Sequence, residues 1–244
     1  MLGNGDFGTT LDTNGFPSNK NCGNCFVKLA AGLPLKLADY FTPHNTVSES
    51  NADADLGSGG PVLLPDVVDA TGKTRHLAVG SGKDALIYVV DRDAMGKFNS
   101  TTDQIYQEIS GQLASGVFSK PVYFNGTVYY GAVNDAIKAF PVTNAKLTAT
   151  PATQTTQHFG YPGTTPSISA NGNTNGILWA VQNGGTAVLR AYDPANLGTE
   201  FYNSNHAAGN RDTFSGNKFI TPMVANGRVF VGTPNSVVVF GLLP

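Results

Sequence analysis

Charge is scarce in this chain, and no stretch gathers charge of one sign. Only 13% of its 244 residues are charged and the formal net charge is −2. Without a basic cluster there is no electrostatic footprint for nucleic acid, and none is expected as a partner. Long apolar runs are missing too. Nothing approaches the roughly 18 residues that cross a bilayer as a helix, so no membrane span is expected. The opening Met1-Leu-Gly-Asn-Gly5 has neither a charged n-region nor an apolar h-region, so no signal peptide is expected in this chain. Cysteine is limited to Cys22 and Cys25, set as Cys-Gly-Asn-Cys. The pair reads as a short-loop disulfide or as two free thiols. Haem c attachment needs a histidine after the second cysteine, where Phe26 stands. A structural zinc site would have to recruit histidines from elsewhere.

What is present is repetition. Glycine (29) and proline (14) are abundant, as many short strands with many turns require. Four stretches share one pattern of proline, short apolar run, turn pair and second apolar run. They start at Pro61, Pro121, Pro166 and Pro222, with turn pairs Pro65-Asp66, Asn125-Gly126, Asn171-Gly172 and Asn226-Gly227. Asn-Gly between β-rich runs is a strong hairpin signal. The runs before and after the turn are strands A and B. A third run follows at 85–90, 136–140, 187–192 and 237–242 (strand C), and a more polar fourth at 96–99, 146–149 and 199–202 (strand D). The prolines are 60, 45 and 56 residues apart, close to the roughly 40–45 residues of a propeller blade. Stacking such meanders radially buries both faces of each sheet. A sandwich does not predict four copies of one hairpin.

The expected fold is therefore all-β, a single β-propeller domain over 1–244 with about four to five four-stranded antiparallel blades, alone or as part of a longer propeller. The expected boundaries are a partial blade at 1–42, blades at about 56–99, 117–150 and 163–204, and a last incomplete blade at 218–244. In the partial blade, residues 1–5 read as a remnant of strand B, 26–30 as C and 35–41 as D.

The C–D hairpins carry a family resemblance. Ile87-Tyr-Val-Val-Asp91 running to Gly96-Lys97-Phe98, and Leu189-Arg-Ala-Tyr-Asp193 running to Gly198-Thr-Glu-Phe-Tyr202, resemble the pyrroloquinoline-quinone (PQQ) repeat. Residues 137–147 follow it in part. The resemblance implies a PQQ-like propeller of the secreted bacterial kind with unassigned function, and hence a secreted or periplasmic location. Departures from the family argue against PQQ itself. Cys22 and Cys25 are not adjacent, so the vicinal disulfide over the quinone is missing. Phe98 and Tyr202 stand where the repeat's terminal tryptophan belongs. The single tryptophan, Trp179, reads as packing inside a strand B.

In an up-and-down meander, loops entering A and loops joining B to C emerge at the same edge. The first set carries His44, His158 and His206 with Asn51, Asp53, Asp55, Asp103, Glu108 and Asp212. The second carries Asp84, Asn134, Asp135, Asn183 and Asn235. Hard oxygens of this kind suit calcium, and Asn51, Asp53, Asp55, Asp84 and Asn134 are the expected ligands. Asn51, Asp53 and Asp55 alternate, so an extended segment would point them the same way. With His44, His158 or His206 as general base, the reaction expected is calcium-assisted hydrolysis of a small lactone or ester. The alternatives are a non-catalytic protein- or glycan-binding scaffold and, third, a quinoprotein oxidoreductase. Each oxygen residue also has an ordinary role in turns. Gly3-Asn-Gly5-Asp-Phe-Gly8 matches a dinucleotide fingerprint, but no helical pattern follows it.

Overall fold

The computed structural model describes residues 1–242. The last two residues of the expected final blade, Leu243 and Pro244, lie outside them. The chain is all-β and built from antiparallel sheets. It forms two compact units, residues 1–112 with 144–146, and residues 113–143 with those from 147 onward. No helix among the described residues is long and apolar enough to cross a membrane.

The first unit begins with the hairpin β1 (Phe26–Ala30) and β2 (Lys36–Phe41). A six-residue helix follows, α1 (Thr46–Asn51). Then come β3 (Val62–Leu63), β4 (Val67–Val68), β5 (Thr74–Arg75), β6 (Leu77–Ser81), β7 (Ile87–Asp91) and β8 (Gln107–Ile109). The main sheet runs β3-β6-β7-β8, while β4 and β5 form a small separate hairpin. β6 and β7 are buried along their whole length, which is why both read as unbroken apolar runs. Phe26 and Phe41 from the hairpin pack on Tyr88 and Val90 of β7, with Leu56 and Met95 closing the cluster.

The second unit contains β9 (Val122–Phe124), β10 (Thr127–Gly131), β11 (Asp135–Thr143), β13 (Thr153–Phe159), β14 (Ser167–Asn171), β15 (Thr174–Gln182), β16 (Thr186–Asp193), β17 (Asn196–Asn203), β18 (Phe214–Ser215), β19 (Met223–Ala225), β20 (Arg228–Gly232) and β21 (Val237–Phe240). The short β12 (Lys146–Leu147) falls where the units meet in sequence. The meanders run β9-β10-β11 with β13 beside β11, then β14-β15-β16-β17, then β19-β20-β21. They stack in chain order. Tyr129, Ile137 and Phe159 of the first meander pack on Leu178, Ala180 and Tyr192 of the second. Val181 and Leu189 of the second pack on Val229 and Val231 of the third. Full burial of each large side chain contributes about 1.5–3 kcal/mol, so these seams hold the unit together.

Two of the four hairpin turns form as the sequence indicates. Asn125-Gly126 and Asn226-Gly227 both take positive φ at both residues, the mirror-image turn whose twist matches the strands. At the third, Asn171 pairs with Thr174, so the turn residues are Gly172 and Asn173. Five other readings need correction. Residues 1–5 form no strand. Pro65-Asp66 leads into the β4–β5 hairpin rather than a two-residue turn. The fourth strand expected at 96–99 lies instead at β8, because Gly96 and Lys97 both adopt positive φ and turn the chain. The strand expected at 146–149 forms only at its start, as β12 beside β11, and β13 supplies the rest of the pairing on that side. Residues 51–55 are not extended: Asn51 ends α1, Asp53 has φ of 58°, and Asp55 precedes a 3-10 turn. The alternation argument for calcium fails there.

Candidate functional site

The first unit concentrates ionisable groups at one edge of its main sheet. His44 lies in the loop before α1. Its backbone N–H donates to Asp103 Oδ1 at 2.6 Å, and its ring Nδ1 lies 2.8 Å from the same oxygen. The Asp103 side chain is 9% exposed and the imidazole 46%. One carboxylate oxygen thus fixes both main chain and ring, leaving Nε2 as the nitrogen able to exchange a proton with another molecule. The Glu108 carboxyl on β8 hydrogen-bonds to Asp103. Desolvation first, then that neighbour, raise its pKa to about 6.

Behind this pair lies a buried carboxyl. Glu49 of α1 is 6% exposed. Its Oε2 accepts from the Asn24 amide at 2.9 Å, while Oε1 is buried with no hydrogen-bond partner among the described residues. Burial, then the charge of Asp84, push its pKa to about 7; the amides of Asn24 and Asn45 act the other way. Asp84, in the β6–β7 turn, accepts from the Tyr88 hydroxyl at 2.5 Å, and burial raises its pKa as well. Tyr88 is buried, and its phenol is pushed up by desolvation and then by Asp84. Asn24 fits by adopting φ of 56°, which lets its Oδ1 accept from the Leu56 N–H at 2.7 Å while its amide reaches Glu49. Within this cluster Glu49 holds its proton to about pH 7 and Glu108 to about pH 6.

Two of the expected calcium ligands already pair with a protein cation. Asp53 and Asp55 flank an ammonium: Lys83 Nζ lies 2.9 Å from Asp53 and 2.5 Å from Asp55. Asn4 donates to both as well, and the two carboxylates raise the lysine pKa, Asp55 more strongly. A protein cation sits where calcium was expected. Asp84 is engaged by Tyr88, and Asn51 is exposed at the end of α1. Among the described residues no group of three or more histidine, cysteine, aspartate and glutamate side chains is arranged to hold a metal.

The other two histidines are in the second unit. His158 lies on β13 rather than in a loop, because β13 pairs with β11 as the fourth strand. Its Nδ1 is 3.1 Å from the Asn134 carbonyl oxygen, so this histidine and this asparagine do meet. His206 is exposed at the end of a 3-10 turn after β17. Asp103 and Glu108 were legible as loop carboxyls. Glu49, Asn24 and Tyr88 were not, since nothing in a six-residue helix, a turn asparagine or an apolar strand signals that their polar atoms converge.

No family model matches this chain, and no curated protein does. Among solved structures it is similar to the computationally designed Ika4 protein (15% identity, TM-score 0.46, covering 68% of this chain and 85% of that one). It is also similar to the designed Ika8 protein (14% identity, TM-score 0.47, 76% and 45%) and to BamB from Moraxella catarrhalis (14% identity, TM-score 0.45, 88% and 58%). The chain thus spans less than two thirds of the latter two.

Proposed function

We propose that the sheets of each unit are successive blades of a PQQ-like β-propeller, and that the His44–Asp103 edge hydrolyses a small lactone or ester. The stacking of consecutive meanders, each sealed to the next by its own apolar seam, supports the first part. One observation carries the second: a half-exposed imidazole locked through Nδ1 by a nearly buried carboxylate, with a second carboxyl holding its proton to about pH 6 beside it.

In this reading Asp103 is a positioning residue that fixes the imidazole. His44 Nε2 takes the proton from a water as its oxygen attacks the substrate carbonyl carbon. When the C–O bond breaks, the Glu108 carboxyl gives its proton to the departing alkoxide. The calcium expected from the sequence is not used in this scheme, because Asp53 and Asp55 already pair with Lys83 and Asp84 accepts from Tyr88.

The test is hydrolysis of a panel of lactones and activated esters by the purified chain, with and without a chelator. His44→Asn should lower kcat/KM at least about a hundredfold, the usual scale for a lost general base. Glu108→Gln should remove the loss of activity on the alkaline side of about pH 6. Background rates for the unmodified chain on every substrate would sink the reading. Loss with chelator and recovery with Ca²⁺ would restore the calcium mechanism in its place.

A second reading, a non-catalytic protein-binding scaffold, rests on the outer edge of β21. Among the described residues no strand pairs beyond β21, whereas β7, β11 and β16 are each paired on both sides. Val237 and Val239 are exposed there, beside a groove of about 1030 Å³ lined by Trp179, Tyr202, Phe214, Val229, Val238 and Phe240. An extended segment of a partner protein could add to such an edge.

A further inference from the structure

The hydrolase reading leaves Cys22 and Cys25 unused. They flank the turn Cys22-Gly23-Asn24-Cys25 in the first unit, with their Sγ atoms 2.7 Å apart and no bond between them. The turn is clamped from several directions. Cys22 bridges Phe7, Gly23 N–H donates to the Asp6 carbonyl at 3.0 Å, Asn24 N–H to Gly3 at 2.7 Å, and Cys25 accepts from Leu2 N–H at 2.7 Å. A Cβ on Gly23 would meet the Gly5 backbone at 2.5 Å, so only glycine allows the two segments to approach this closely. The backbone therefore holds two thiols face to face before any oxidant arrives.

The two sulfurs are not equivalent. Cys25 is fully buried against Phe7 and Tyr40, whereas Cys22 is half-buried. The neighbouring Cys25 sulfur favours ionisation of Cys22, while burial and then Cys22 push the Cys25 thiol up. That division places the nucleophile at the accessible position, since the thiolate is the attacking species.

We propose that Cys22 and Cys25 form a thiol–disulfide exchange couple, with Cys22 attacking a low-molecular-weight disulfide and Cys25 resolving the product. In the first step the Cys22 thiolate attacks one sulfur of RSSR, forming a Cys22–S–S–R bond and releasing RS⁻, which takes up the proton Cys22 lost. In the second, Cys25 loses its proton and attacks the Cys22 sulfur, closing the 22–25 disulfide and releasing the second thiol. Two protein thiols are oxidised and one disulfide is reduced to two thiols. The couple sits next to the candidate site through one residue. Asn24, between the cysteines, holds Glu49 by its amide and Thr42 by its carbonyl.

The experiment incubates the reduced full chain with oxidised glutathione under native conditions and follows mass and free thiols. The expected product lacks two hydrogens and has no reactive thiol. Cys25→Ser should stop at one glutathionyl adduct on Cys22, and Cys22→Ser should gain none. Equal adducts on both variants, or two thiols still reactive after incubation, would overturn the proposal, as would oxidation seen only after urea unfolds the chain. If a serine variant fails to fold, brief alkylation of the reduced wild-type chain with peptide mapping serves instead. Cys22 modified well ahead of Cys25 supports the assignment; equal rates or Cys25 first refute it.

Discussion

Glu49 offers the sharpest energetic test of the buried cluster. In an unfolded chain its carboxyl titrates near its ordinary value of 4.5, and in the fold at about 7. Below pH 4.5 it is protonated in both states and has no effect on the pH dependence. Between 4.5 and about 7 the folded state holds a proton that the unfolded state has released, so stability falls as pH rises. At about 1.4 kcal/mol per pH unit, this interval costs about 3 kcal/mol by pH 8. Glu49→Gln removes the titration while keeping shape, and its carbonyl oxygen can still accept from the Asn24 amide. Urea unfolding followed by far-UV circular dichroism at pH 4.5, 6 and 8 gives the comparison. The stability difference, variant minus wild type, should become more favourable to the variant by about 3 kcal/mol from pH 4.5 to 8. Asp84, whose charge acts on Glu49, titrates with it, so the difference reports that pair, while Glu108 is present in both proteins. A difference that stays constant with pH would show that Glu49 is not desolvated as described.

Three further outcomes are expected. Tyr88→Phe removes the 2.5 Å hydrogen bond to partly buried Asp84 and should lower stability by about 1–3 kcal/mol, read from the urea midpoint at constant slope. Leu178→Ala opens the seam between two meanders of the second unit and should cost about 2–5 kcal/mol, whereas Leu33→Ala, at a side chain 98% exposed, should change stability by less than about 0.5 kcal/mol. Gly126→Ala forces a side chain into φ of 81° in the β9–β10 turn and should cost about 1 kcal/mol, with a lower thermal midpoint as the readout.

Strands B and C could be read from the chain because most of them lie between two neighbours and are apolar over most of their length, whereas each strand A is an edge strand marked by its proline and the turn that follows. Their turns carry Asn-Gly pairs whose backbone preference is local. The fourth strands were less visible. β8 and β13 are outer and polar, and what makes them strands is pairing with β7 and β11, a partner chosen across the sheet. α1 escaped notice for a related reason: six residues give too few turns for a helical period to register. The loop carboxyls and His44 were named from topology alone, since loops entering A and loops between B and C share an edge. Which of them meet was not readable. Asp53 and Asp55 look like calcium ligands until Lys83 is seen between them.

The chain by itself determined its composition class, its repeated hairpins and hence antiparallel sheets of like design, because these follow from neighbours a few residues apart. Only the tertiary structure decided that His44 is held by Asp103, that Glu49 is shut away from water, and that Cys22 and Cys25 differ in exposure. Those properties depend on distance and desolvation between residues far apart in sequence, and no local pattern encodes them.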